Sequence, residues 1–118
     1  MKRSLCLFTL LLVAVNAAFA LTGKELRDQC RWSQQDESAL TPEQHLHYAA
    51  CVSYVLGVAD GYYLGSNGGS CVPNKGEVTS GQLGLVVFKY LDEHPEELHL
   101  HAGVLVVRAL KKAFPCKG

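Results

Sequence analysis

The sequence predicts an all-α protein, a small bundle-like domain of four to five helices with two disulfides. Three threonines are each followed three residues later by glutamate or glutamine, which is the capping box of a helix N-terminus. The boxes are Thr22–Glu25, Thr41–Gln44 and Thr79–Gln82. Apolar residues follow each box at helical spacing, and four cysteines lie beyond residue 20. Together these observations predict capped helices joined by disulfides.

The first two helices are expected over residues 23–33 and 42–64. Pro42 stands at the first helical position of the second one, where its missing N–H costs nothing. One apolar face of this helix includes four residues at the required spacing, namely Leu46, Ala50, Tyr54 and Val58. The polar segment between the two helices is predicted to be a short connection.

The last two helices are expected over residues 80–93 and 100–113. Pro95 ends the third helix because proline disfavours helical backbone in the residue before it. Residues 104–107 could instead form a buried strand. The following residues, 108–112, favour helix, and a lone strand would have no pairing partner.

Residues 1–20 have the three parts of a secretory signal peptide. A basic start precedes an apolar run over residues 5–15, and the small residues Ala18 and Ala20 stand at positions −3 and −1 of the expected cleavage site. The run is too short to span a bilayer, and no second long apolar stretch follows. We therefore expect an exported single domain over residues 21–118, with no membrane attachment.

The exported part contains four cysteines, Cys30, Cys51, Cys71 and Cys116. In a small exported chain this number predicts two disulfides. Four cysteines allow three pairings, and sequence alone does not choose between them. Antiparallel packing of the first two helices would join Cys30 to Cys51 and leave Cys71 for Cys116, which is the pairing we predict. A zinc site is the alternative, but no CxxC pair is present.

Charge and motifs exclude several classes of function. The chain has 11 basic and 11 acidic residues, and loss of the signal peptide makes it mildly acidic, so nucleic acid is not an expected partner. The histidine pairs His45/His47 and His99/His101 are two residues apart, and on a helix such side chains point in different directions. We expect no metal, no cofactor and no catalytic site, because no nucleophile is linked to a base.

Gly57, Gly61 and Gly65 recur every four residues along the second helix. Each glycine costs about 1 kcal/mol relative to alanine in a helix, so the stripe predicts close approach of another backbone. Packing inside the domain is the favoured interpretation, and contact with a second copy or a partner is the alternative. Asp60 is the only charged residue between Glu43 and Lys75. We interpret it as a solvent-facing carboxylate or, alternatively, as a carboxylate that accepts hydrogen bonds from backbone N–H groups of the next loop.

Five segments, in this order, resemble the Rap/Tai family of type VI secretion immunity proteins. The N-terminal ones contain a Gly-x-x-Asp-Gly element at the end of a cysteine-bearing helix and a Cys-x-Pro loop. The segments are 51–61, 71–73, 90–98, 105–110 and 113–116. The resemblance implies a periplasmic, helical, disulfide-bonded protein that is often a homodimer. It also implies that the chain binds a peptidoglycan amidase toxin and occludes its active site without chemistry of its own.

An inhibitor of this kind needs a protruding, restrained segment, because rigidity reduces the ordering cost of binding. Residues 65–76 fit, since the glycine-rich loop is anchored by Cys71 and stiffened by Pro73. The partner contacts we predict are Asn67, Asn74, Lys75 and Glu77. The alternative is a plain connection with no role in binding.

Two other functions compete with immunity. An acid-activated periplasmic holdase is the first, because five histidines and eleven carboxylates change charge on acidification. A cell-wall hydrolase is the second, and the missing nucleophile–base pair counts against it. Two disulfides favour a rigid binding protein.

Overall fold

The computed structural model describes residues 21–74 and 76–117. Within them the chain forms four α-helices, α1 (Gly23–Cys30), α2 (Pro42–Gly65), α3 (Ser80–Glu93) and α4 (Ala102–Ala113). Three 3₁₀ turns lie in the connections, at Arg31–Gln34, Glu37–Ala39 and Pro95–Glu97. The predicted all-α class and both predicted disulfides are confirmed. The signal-peptide prediction concerns residues 1–20, which lie outside the described part.

All three predicted capping boxes are present. In α1 the Thr22 hydroxyl accepts the Glu25 N–H at 3.4 Å, and the Glu25 carboxylate accepts the Thr22 N–H at 2.8 Å. The boxes of α2 and α3 repeat this exchange with glutamine in place of glutamate. Because each box satisfies donors that a helix start leaves free, local sequence fixes these three N-termini.

The start of α4 differs from the prediction by two residues. His101 caps this helix, and its Nδ1 accepts the Gly103 N–H at 3.1 Å. The preceding backbone pairs with the beginning of α1 instead of entering the helix. The Leu100 carbonyl accepts the Gly23 N–H at 2.9 Å, and the Ala102 N–H donates to the Leu21 carbonyl at 2.8 Å. These long-range bonds hold residue 100 outside α4.

The core draws on all four helices and includes the first disulfide. Its central members are less than 2 % exposed, and the burial of each large aliphatic side chain stabilises the fold by about 1.5–3 kcal/mol. They are Leu26, Cys30, Cys51, Val55, Val87, Leu91, Ala102, Leu105, Val106, Ala109 and Leu110. The Cys30–Cys51 disulfide is therefore part of the hydrophobic core.

At two glycines an added Cβ atom would meet a neighbouring element of the fold. A Cβ atom at Gly23 would overlap the Leu105 side chain and lie 3.1 Å from the Leu98 carbonyl oxygen. A Cβ atom at Gly84 would lie 2.8 Å from the Ser33 hydroxyl oxygen. The contact of α1 with α4, and that of α3 with the turn after α1, therefore leave no room for a larger residue.

The glycine stripe of α2 has the opposite surroundings. Gly57, Gly61 and Gly65 are exposed, and a Cβ atom added to any of them would meet nothing within 4 Å among the described residues. The prediction that another helix of the domain packs here is wrong. The core takes the side of α2 that carries Cys51 and Val55. No described helix is long and apolar enough to span a bilayer.

Candidate functional site

The candidate site begins where α2 ends in a Schellman motif. The Gly68 N–H donates to the Tyr63 carbonyl at 2.9 Å, and the Asn67 N–H donates to the Leu64 carbonyl at 3.3 Å. Asn67 has φ of 53°, a left-handed conformation that asparagine adopts more readily than most residues. Asn67, which the sequence predicts as a partner contact, thus sets the direction in which the loop leaves the helix.

The loop is next restrained by the Cys71–Cys116 disulfide, which joins it to the end of the chain. Both cysteines are exposed, so this disulfide restrains the loop without adding to the core. Further along, the Glu77 N–H donates to the Asn74 carbonyl at 3.1 Å, and Gly76 has φ of 109°. This φ favours glycine at the turn. The predicted contact Lys75 lies outside the described residues.

A cleft of about 630 Å³ separates this loop from the second half of α2 and the first turn of α3. Its walls are mainly apolar, formed by Leu56, Ala59, Val72, Pro73, Val78 and Leu83. Its polar groups are Asp60, Tyr63, Ser70, Asn74, Thr79 and Ser80. A concave surface with apolar walls and a few polar groups is the usual form of a binding site.

Asp60 is the only charged residue that lines the cleft in the described part of the chain. Its side chain is exposed and forms neither a salt bridge nor a hydrogen bond with another described residue. The solvent-facing interpretation therefore holds, and the suggested hydrogen bonds to the loop backbone are not present there. Between Glu43 and Lys89 the sequence contains only two other charged residues, Lys75 and Glu77.

Tyr63 contacts the start of the loop. A Cβ atom at Gly68 would lie 3.5 Å from the Tyr63 hydroxyl oxygen, so the ring lies against this glycine. Even so, the side chain of Tyr63 is 53 % exposed. An aromatic ring at the edge of a cleft offers both apolar contact and attraction to a cation.

The predicted contacts are only partly brought together. Asn74 lines the cleft, whereas Asn67 and Glu77 lie on the loop outside its lining. Sequence reasoning missed Tyr63 and Val78 as members of the site. Their apolar character is visible in the sequence, but a half-exposed position on a cleft gives no local signal.

A second groove, of about 620 Å³, lies between α1 and the start of α2 and includes Trp32. Two of its carboxylates already have partners. Glu25 closes the capping box, and Asp28 lies 3.8 Å from the Arg31 guanidinium. Among the described residues no group of three or more potential ligands could hold a metal ion. The cleft beside the loop is therefore the stronger candidate.

Comparison with known proteins identifies the family of this chain. A search of curated proteins gave no significant match. A family model described as Rap1a immunity proteins matches residues 22–116, which includes all four helices, both disulfides and the cleft. This agrees with the resemblance seen in the sequence. The chain belongs to the Rap1a immunity protein family.

Proposed function

We propose that this protein is a periplasmic immunity protein, exported by a signal peptide cleaved after Ala20. It binds a peptidoglycan amidase toxin of a type VI secretion system and covers its active site, which protects the producing cell. It catalyses no reaction. The observation that carries this proposal is the family match over residues 22–116.

The loop supports binding by occlusion. The Schellman motif fixes its first residues, the Cys71–Cys116 disulfide restrains its middle, and the bond between Glu77 and Asn74 closes its last turn. A restrained segment loses little conformational freedom on binding, so more of the contact energy appears as affinity. The loop residues proposed to contact the toxin are Asn67, Asn74, Lys75 and Glu77.

The first test is a pull-down with the oxidised chain, residues 21–118, from secreted and periplasmic proteins of the source organism and its close relatives. We expect one stoichiometric partner whose cell-wall amidase activity is lost in the complex. If no partner binds at neutral pH and many unfolded proteins bind after acidification, the holdase replaces the immunity protein. Turnover of peptidoglycan by the chain alone would contradict the non-enzymatic role.

The loop is tested separately with Lys75→Glu combined with Asn74→Ala. We expect at least a tenfold loss of affinity for the amidase, because both changes fall on the segment proposed to contact it. The matched control is Lys24→Glu with Gln35→Ala, which makes the same charge reversal and a similar amide-to-alanine change at exposed positions on α1 and the connection after it. Equal affinities of the two double variants would remove the loop from the interface.

We also propose that the protein forms a homodimer through the exposed glycine stripe of α2. The stripe lies on a helix that also exposes two large apolar side chains, Leu46 and Leu64, each 73 % exposed. Small residues allow two helices to approach closely. Sedimentation of Gly57→Leu should show a monomer where the parent chain is dimeric; a dimer that survives this change would exclude the stripe.

A further inference from the structure

We propose that the cleft beside the loop binds a cationic side chain, arginine or lysine, which the amidase presents to Asp60. The identity of the partner rests on the function proposed above. The chemistry of the side chain rests on the cleft itself.

The first argument is charge. Asp60 is the only charged side chain among the described residues that line the cleft. The opposite wall contains the N-terminus of α3, which carries about half a positive charge. The Thr79 hydroxyl already accepts one of its N–H groups, that of Gln82, at 3.2 Å. The carboxylate therefore determines the sign of the cleft, and a cation is favoured.

The second argument is shape. Leu56, Val72 and Val78 give the cleft partly buried apolar walls, which suit the methylene stem of a long basic side chain. Tyr63 lines the same cleft, and the face of a tyrosine ring attracts cations. A volume of about 630 Å³ lies in the range of sites that hold several hundred daltons of ligand, so neighbouring backbone can enter with the side chain.

The third argument is that the ion pairs among the described residues do not involve Asp60. Arg27 pairs with Asp92, Arg108 with Glu97 at 2.8 Å, and Lys112 with Glu93 at 3.8 Å. No described cation pairs with Asp60 in this way. Lys75, next to Asn74 in the sequence, lies outside the described residues and is varied in the test.

The test is a titration of the ¹⁵N-labelled oxidised chain, residues 21–118, with the peptide Ac-Gly-Arg-Gly-NH₂. The control peptide replaces arginine with citrulline, which has nearly the same shape and no charge. We expect saturable shifts of cleft amides such as those of Ala59, Val72 and Gly76, with at least fivefold weaker binding of the citrulline peptide. Equal binding of the two peptides, or shifts confined to other surfaces, would overturn the proposal.

Single substitutions test whether Asp60 provides the negative charge that selects arginine. Asp60→Asn should remove the preference for arginine over citrulline, whereas Asp28→Asn, an exposed carboxylate on α1, should leave it unchanged. Lys75→Gln should keep or increase arginine binding because it removes a like charge. A preference that persists in Asp60→Asn, or is lost in Lys75→Gln, would overturn the role of Asp60.

Inhibition assays with the captured amidase test this inference separately from the proposed function. Asp60→Asn should weaken inhibition of the captured amidase at least tenfold, and Asp28→Asn should not. If the amidase is inhibited equally by Asp60→Asn, the inference fails and the immunity function stands. If arginine binding is confirmed but no amidase is captured, the immunity function fails and the chemistry of the cleft stands.

Discussion

The two disulfides have different surroundings. Cys30 and Cys51 are completely buried and belong to the hydrophobic core, whereas Cys71 and Cys116 are exposed and join a loop to the end of the chain. We call the hydrophobic core around the first disulfide the core region. The surroundings of the second disulfide are the cleft region, which contains the second half of α2, residues 66–79 and the first turn of α3. The first disulfide stabilises the fold by packing as well as by cross-linking. The second restrains a surface segment that has little core of its own.

The glycines repeat this contrast. In the core region Gly23 and Gly84 leave no space for a Cβ atom, while in the cleft region Gly57 and Gly61 face open space. The same residue therefore serves close packing in one region and leaves a free surface in the other. The comparison shows that a segment of this protein can be conformationally restrained without being buried.

The largest effect is expected from removing the buried disulfide. It spans 21 residues, for which the loss of cross-linking alone costs about 3 kcal/mol. Cys30→Ala with Cys51→Ala also leaves a cavity in the core, which brings the expected loss to about 5 kcal/mol. Urea unfolding measures it. A loss of no more than the cross-linking term of about 3 kcal/mol would mean that core packing around the sulfurs contributes little.

Removing the exposed disulfide should have a smaller and more local effect. Its span of 45 residues gives a cross-linking term of up to about 4 kcal/mol, but Cys71→Ala with Cys116→Ala creates no buried cavity. We expect a loss of about 2–4 kcal/mol and faster hydrogen exchange confined to the loop and the end of the chain. Faster exchange throughout the core would break the distinction between the two regions.

Replacing a glycine with alanine should change the stability in opposite directions in the two regions. Gly23→Ala forces a methyl group against Leu105 and the Leu98 backbone, and such overpacking costs about 1–3 kcal/mol. Gly57→Ala meets no neighbour and should stabilise the chain by about 1 kcal/mol through higher helix propensity. Thermal unfolding at low protein concentration compares the two as monomers. Destabilisation by Gly57→Ala would show that the stripe is covered.

The smallest effect concerns pH and distinguishes the N-terminal cap of α1 from those of α2 and α3. Hydrogen bonds from the Thr22 N–H and hydroxyl hold the pKa of Glu25 below its ordinary value of 4.5. A carboxylate whose pKa is lower in the folded state than in the unfolded state stabilises the fold at pH values above the unfolded-state pKa. This stabilisation is lost as the pH falls through the folded-state pKa. The boxes of α2 and α3 are closed by Gln44 and Gln82, which do not titrate.

Glu25→Gln should therefore reduce the fall in Tm between pH 6 and pH 3. The control is Glu43→Gln, an exposed carboxylate in the first turn of α2 that closes no capping box. If both variants lose stability on acidification as the parent does, the α1 cap does not contribute to acid sensitivity.

Local chemistry explains what could be predicted from the sequence. A capping box needs only residues three apart, so the starts of α1, α2 and α3 follow directly from Thr22, Thr41 and Thr79. The Cys30–Cys51 pairing also followed, because a short connection makes antiparallel neighbours of α1 and α2. The start of α4 was missed because it depends on hydrogen bonds between residues about 80 positions apart, such as Leu21 and Ala102.

The sequence by itself determined the helical class, the cysteines available for pairing and the glycine-rich loop, since each depends on residue type and short spacing. Only the tertiary structure decided which face of α2 is buried. The sequence pattern of glycines at a spacing of four is the same whether their face of the helix is packed against another helix or exposed to solvent. The cleft was decided in the same way, because its walls join Leu56 to Val78 and only the folded chain brings them together.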